Sequence, residues 1–270
     1  MLRAELLKLT TITATRAAIV IAALGLVATQ LAFTLLLPSL RDNGAAGADV
    51  TAELPVIDLG IADTQLAVLN PLGASLGAGS IGIVLVAVML LGVLAGTSDF
   101  RFGGITGTAL AEPRRERIVA AKAGAMAVIG SLAGAVLALT SALTLAITLL
   151  ADATALAAPL PQVLGVLGRG VLAITLLSLI GLAAGLILRN QLIAVLVMLG
   201  ALVLEPVLLS IVQLATGTLP GWAQLLPVSL SQAAIGSGGA MDPLAALGAL
   251  TALTALLLGA AGLTLRHRDV

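Results

Sequence analysis

Apolar residues gather into six long stretches, and short polar segments separate them. A helix needs roughly 20 apolar residues to cross the hydrocarbon core of a membrane, and each stretch is at least that long. The pattern predicts an all-α membrane protein with one six-helix domain over residues 17–270. The six predicted spans cover residues 17–37, 75–97, 123–150, 162–188, 191–213 and 243–265.

Residues 1–16 precede the first span and carry a weaker pattern. Leu2, Leu6 and Leu9 recur at spacings of four and three, which places them on one face of a helix. We expect an amphipathic helix that lies in the headgroup layer. A plain basic flank of the first span is the alternative.

The distribution of charge orients the predicted helices. Of the thirteen Lys and Arg residues, all but Arg41 and Arg169 fall in segments on one side of the membrane. The two long loops on the other side, residues 38–70 and 214–242, both carry more acidic than basic residues. Because basic segments stay in the cytoplasm, both termini are expected there. The densest basic segment is residues 98–122.

Composition excludes several functional classes. The chain has no Cys, and its one His is His267 near the end, so a thiolate metal site and a His-dependent catalytic triad are excluded. The only lysines, Lys8 and Lys122, do not stand in a phosphate-binding loop, so the chain is not an ATPase of that class by itself. Net charge is zero and gives no indication of a nucleic-acid partner. We expect no enzyme activity, catalytic residue, metal or cofactor on this chain.

Two charged residues lie inside predicted spans, Arg169 in the fourth and Glu205 in the fifth. A charge in lipid is costly and marks a candidate functional residue. A tight turn at Arg189 and Asn190 is predicted to join these two spans, which makes them antiparallel neighbours. Both charges lie at similar depths, so we predict that they pair or share a polar network. Three roles stay open: fixing helix register, gating of substrate passage, and proton carriage. If the two pair directly, exchanging their charges should restore folding lost in either single variant.

Residues 98–122 have a finer pattern. Gly103 and Gly104 break the helix that continues from the second span, residues 105–112 can form a short helix, and Pro113 suits the start of another. Three arginines follow this proline within four residues, and they can attract anionic lipid. They are Arg114, Arg115 and Arg117. A second interpretation is that residues 105–112 project from the membrane as a docking element.

Glycines recur at four-residue spacing in several spans. Such spacing lets helix backbones approach closely in lipid, where packing replaces the hydrophobic drive. The pattern therefore predicts a tightly packed bundle. The pairs are Gly73–Gly77, Gly92–Gly96, Gly130–Gly134 and Gly181–Gly185.

Several segments together resemble the ABC-2 type permeases, the membrane subunits of bacterial ATP-driven exporters (type V exporters). They are RAELLKL at 3–9, DFR at 99–101 with GIT at 104–106, PRR at 113–115 and AK at 121–122, GLILRN at 185–190, LEP at 204–206, and LP at 219–220 and 226–227. The resemblance covers essentially the whole chain. Two features depart from the family: Asp99 stands where Glu is frequent, and aromatic residues are few.

The resemblance implies that residues 105–112 form a coupling helix seated in a cytosolic ABC ATPase subunit, which would hold ATP and Mg²⁺. The residues implied in this contact are Ile105, Thr106, Leu110, Ala111, Glu112, Arg114 and Arg115. Two permeases, identical or related, and two ATPases would form a transporter in a bacterial inner membrane, in contact with membrane lipids. The exported substrate would be hydrophobic or amphipathic.

Two other functional classes remain open from the sequence. One is an ion- or proton-coupled secondary transporter with Glu205 as the proton carrier. The other is a membrane anchor or sensor subunit that transports nothing. We find no inverted repeat between the halves of the chain, which disfavours the first of these.

Overall fold

The computed structural model describes residues 1–42, 57–73, 82–101, 115–218, 220–236 and 241–267, and these residues form helices and no strands. The helices are α1 Leu2–Thr11, α2 Thr13–Leu31, a π-helical turn Ala32–Leu36, α3 Leu37–Asp42, α4 Ala62–Val68, α5 Ile83–Arg101, α6 Arg115–Ala151, α7 Leu160–Leu188, α8 Gln191–Thr216, a 3-10 helix Gly221–Leu225, α9 Pro227–Ile235 and α10 Pro243–His267.

Six helical segments are long and apolar enough to cross a membrane, as the hydrophobic pattern predicts. They are Thr13–Arg41, Ile83–Phe100, Glu116–Ala151, Leu160–Leu188, Gln191–Thr216 and Pro243–Leu265. Two helix starts differ most from the prediction. Helix α5 begins eight residues after position 75, and α6 begins eight residues before position 123. No helix breaker stands between Arg115 and that position, so the helix runs on through the basic residues.

Helix α7 lies at the centre of the bundle and contacts α5, α6, α8, α9 and α10. Its residues from Ala173 to Leu186 are almost all buried, whereas α8 and α10 bury about a quarter of their length or less. Because α7 is central, it packs against most of the other long helices.

Helices α5 and α7 pack closely where glycines of one helix face glycines of the other. A Cβ atom added to Gly96 would lie 2.6 Å from the carbonyl oxygen of Leu182, and one added to Gly185 would lie 2.8 Å from that of Val93. No real Cβ atom sits that close to a backbone oxygen, so only glycine allows this approach. The close packing predicted for these two glycine pairs is confirmed.

Replacing Gly181 by Ala should therefore destabilise the bundle. The new methyl group would overlap the backbone oxygen of Met89, which cannot move aside as a side chain could. We expect a loss of about 1–3 kcal/mol, measured as a lower midpoint of thermal unfolding in detergent. Gly200→Ala is the matched control, since a Cβ atom there meets nothing within 4 Å. Equal midpoints for the two variants would contradict the packing argument.

One end of the bundle, here called the terminal face, holds α1 and the last turns of α10. Leu9 of α1, Val119 of α6, Leu186 of α7 and Leu265 of α10 belong to one buried cluster there. Helix α1 lies within the segment predicted as amphipathic, and its Leu9 is 5% exposed. It therefore packs on the bundle as well as presenting its other faces outward.

At the opposite end, here called the far face, the chain around Val68 and Leu69 packs against the bundle. The side chain of Gln30 donates hydrogen bonds to the carbonyl oxygen of Val68 at 2.7 Å and to Ser141 Oγ at 2.6 Å, and Ser141 donates to the carbonyl oxygen of Leu69 at 2.7 Å. These bonds satisfy backbone groups that would otherwise be buried without partners. The sequence predicted a loop here, whereas the structure buries its end between the spans.

Candidate functional site

Four charged side chains meet at the terminal face, and we call them the charge network: Glu5, Lys8, Asp99 and Lys122. The carboxylate of Asp99 forms ion pairs with both lysines, one through each oxygen. Lys122 Nζ also lies 3.1 and 3.2 Å from the two oxygens of Glu5. Two acids and two bases thus form one balanced group.

Three helices supply these side chains. Glu5 and Lys8 lie three residues apart on α1, so they share a face of that helix. Asp99 lies in the last turn of α5, and Lys122 lies in the third turn of α6. The network therefore ties α1 to the two helices that lead into and out of residues 102–114.

Burial makes this connection strong. The side chain of Lys122 is 2% exposed and that of Asp99 is 7% exposed. A buried charge that loses its partner is strongly destabilising, so these two groups require each other. Lys8 is one-third exposed and contributes less, because water screens its charge. The relative positions of α5 and α6 at this face are consequently fixed by the buried pair.

The sequence reasoning missed this network, although a signal for it exists. Val119, Lys122, Met126 and Ile129 follow a spacing of three, four and three, which marks one buried face of α6. A lysine in a position where the period requires an apolar residue indicates a buried partner of opposite charge. Asp99, whose role the sequence left open, is that partner.

Most of the residues implied in ATPase coupling lie outside the described residues. They are Ile105, Thr106, Leu110, Ala111, Glu112 and Arg114. Arg115 is described only as the first residue of α6. The structure does place both ends of this segment, Arg101 and Arg115, at the same face as the charge network.

A tight turn joins α7 and α8 at the terminal face, as the sequence predicted. Arg189 adopts a left-handed conformation with φ of 55°, and Asn190 caps α8 by accepting hydrogen bonds from the backbone of Leu192 and Ile193. The guanidinium of Arg189 stands 5.7 Å from the ring centre of Phe100 and donates to the carbonyl oxygen of Thr264 at 3.1 Å. The turn is thereby fastened to α5 and α10.

A second group of polar contacts lies toward the far face and involves Glu205. Its carboxylate is buried and accepts hydrogen bonds from the backbone N–H of Val228 at 3.0 Å, the N–H of Ser229 at 2.8 Å and the Ser229 hydroxyl at 3.0 Å. These groups form the first turn of α9, whose N–H groups have no partner within the helix. A carboxylate is well suited to this positive helix end.

Arg169 binds the other end of the same helix. Its guanidinium donates a hydrogen bond of 3.0 Å to the carbonyl oxygen of Ile235, the last residue of α9. Of the two predicted arrangements, the contacts exclude the direct ion pair: Arg169 and Glu205 bind opposite ends of α9. Arg169 lies nine residues after the start of α7 and Glu205 eleven residues before the end of α8, but the helix between them could not be seen from such positions alone. We call this arrangement the charge clasp.

No protein-family model matches the chain, and the comparison with curated proteins gives no match.

Proposed function

We propose that this chain is the membrane-spanning permease subunit of an ATP-driven exporter of ABC-2 type, working with a separate cytosolic ATPase subunit. The terminal face would be cytoplasmic, and residues 105–112 would form the contact with the ATPase. The substrate class proposed is hydrophobic or amphipathic, and a second permease copy or a relative would complete the transporter.

The observation that carries the proposal is the charge network. It joins α1, α5 and α6 around residues 102–114, so a force applied to that segment would reach three helices at once. Helix α6 is a single helix of 37 residues, or about 55 Å, and is longer than the hydrocarbon core is thick. A rigid helix of this length could transmit a movement at one face to the other.

The contacts of Glu205 favour this proposal over a proton-coupled transporter. Both of its oxygens accept hydrogen bonds from α9, so its carboxylate fixes the start of that helix in this conformation. Among the described residues, no further acid lies near the middle of a span to continue a proton path. A carrier role would also require breaking three hydrogen bonds in each cycle.

The test is to purify the tagged chain from its native membrane in mild detergent and to identify the subunits that accompany it. We expect an ABC ATPase in equal amount with the permease. Replacing both Glu112 and Arg114 by Ala should lower the amount of bound ATPase several-fold. Replacing Gln191 by Ala, which changes a polar residue of the terminal face outside this segment, serves as the control.

The proposal would be overturned if the chain purified without any ATPase. It would also be overturned if residues 98–122 reacted with an impermeant reagent added outside intact cells. The second measurement tests the sidedness separately from the partner.

A further inference from the structure

The tight turn between α7 and α8 borders a cavity of about 590 Å³, which we call the turn cavity. This volume is within the range of about 300–1,000 Å³ that small-molecule sites have. The described residues that line it come from the end of α5, the turn itself and the start of α8. They are Phe100, Arg189, Asn190, Gln191, Leu192 and Val195.

The turn cavity lies where membrane spans end. Arg189 and Asn190 separate two spans, Leu160–Leu188 and Gln191–Thr216, and Phe100 is the last residue of a third span that begins at Ile83. Because three spans end beside it, the cavity lies at the boundary between the hydrocarbon core and the headgroup layer.

The cavity has a polar part and an apolar part. Arg189, Asn190 and Gln191 supply a guanidinium and two amides at the turn, whereas Leu192 and Val195 form an apolar wall that continues along α8. Leu192 is 71% exposed, so this wall is open toward the acyl chains around the protein. The arrangement matches an amphipathic ligand with its polar head at the turn and its chain along α8.

Arg189 is held in position at the polar part. Its guanidinium stands 5.7 Å from the ring centre of Phe100 and donates to the carbonyl oxygen of Thr264 at 3.1 Å. A guanidinium has five N–H donors, so phosphate oxygens can share it with these contacts. Its backbone φ of 55° is one that glycine adopts more readily, and glycine is the common residue after a helix end. The chain thus carries an arginine side chain where the backbone would suit glycine.

The charge around the turn cavity favours an anion. None of the described lining residues is acidic. Asp99 precedes Phe100 in the chain, but its buried carboxylate pairs with Lys8 and Lys122 in the charge network. The cavity also borders the N-terminal end of α8, a helix of 26 residues, where the helix dipole is positive. A negatively charged group is therefore stabilised at the turn.

We propose that the turn cavity binds an anionic phospholipid of the leaflet at the terminal face. The lipid phosphate accepts hydrogen bonds from Arg189, and an acyl chain lies against Leu192 and Val195. Basic pockets between membrane helices bind such headgroups. The site requires only that the chain lies in a membrane, so the inference goes beyond the proposed transport function and does not depend on an ATPase partner.

The test is native mass spectrometry of the full chain in detergent, titrated with phosphatidylglycerol. Leu192→Glu places a carboxylate on the cavity wall, and an acid in the first turn of a helix suits the helix dipole. We expect the affinity for the lipid to fall about tenfold, because like charges repel. Ile193→Glu is the matched control: it adds the same charge at an exposed position of the same turn, outside the cavity lining. We expect it to change the affinity less than about threefold.

Arg189→Gln tests the headgroup contact directly. It should also lower the affinity about tenfold, since a hydrogen bond between charged groups is lost. The arginine fastens the turn to α10 as well, so this variant is at risk of misfolding. Leu192→Glu leaves the arginine in place and changes an exposed side chain, so it keeps the test decisive in that case.

Two results would overturn the proposal outright: equal weakening by Leu192→Glu and Ile193→Glu, or equal affinity of the unchanged chain for phosphatidylcholine. A soluble phosphate compound is the other source of the same chemistry. We expect neither inorganic phosphate nor glycerol 3-phosphate to displace the bound lipid. Displacement by either would assign the cavity to a soluble anion and overturn the lipid site.

Discussion

Exchanging the charges of the clasp, in the double variant Arg169→Glu with Glu205→Arg, will leave the protein less stable than either single variant. The exchange places a guanidinium against the N–H groups of Val228 and Ser229 and a carboxylate against the carbonyl oxygen of Ile235. Each end of α9 would then meet a charge of the wrong sign. Glu205→Arg should cost about 3–5 kcal/mol, as for other buried charges that lose their partners. Arg169→Glu should cost less, because Arg169 is only half-buried and loses one hydrogen bond to a carbonyl oxygen.

The measurement is the amount of folded protein and its unfolding midpoint in detergent for both single variants and the double. A direct ion pair predicts the opposite result, a double variant that recovers stability. Glu205→Asp is the conservative control, because it keeps the charge and shortens the reach. We expect it to lose less stability than Glu205→Gln. Recovery in the exchanged variant would refute the clasp and restore the pairing expected from the sequence.

The second large effect is expected at the charge network. Asp99→Ala removes the carboxylate that faces both lysines and leaves Lys122 buried with Glu5 as its remaining ionic partner. We expect a loss of about 3 kcal/mol, the lower end of the range for breaking a buried pair, because Glu5 still compensates part of the charge. Lys8→Ala should cost about 1 kcal/mol or less, since that side chain is one-third exposed.

A double variant, Asp99→Leu with Lys122→Met, tests the reason for this loss. Both buried charges are then gone, and apolar groups of similar size fill the space, a change that is often neutral. We expect the unfolding midpoint to recover most of what Asp99→Ala loses. A double variant as unstable as Asp99→Ala would show that the carboxylate matters for another reason than its pairing with Lys122.

The glycine spacing shows which part of helix packing a sequence pattern can predict. Four-residue spacing predicted close helix packing, and the contacts of Gly96 and Gly185 confirm it. The spacing did not name the partner helices, because any two glycine-bearing faces are compatible in principle. Only the assembled bundle sets α5 against α7.

The charge network and the clasp show why some site residues could not be assigned. Asp99 and Lys122 lie on either side of residues 102–114, and Lys8 is 91 residues from Asp99 along the chain. Nothing in a one-dimensional pattern brings three such positions together. For Arg169 and Glu205 the pattern gave the depth of each charge, yet the helix between them comes from a segment that the sequence predicted as an outer loop.

The sequence by itself determined the six spans, the tight turn at Arg189 and the presence of charges at membrane depth. These follow from local properties: the length of apolar runs, the preference of single residues, and the cost of a charge in lipid. The tertiary structure decided which partner each charge has and how the connection after α8 returns into the bundle. Both outcomes depend on how segments distant in the chain pack together. When several polar groups are buried near one another, the distances between them in the folded bundle determine which of them form hydrogen bonds.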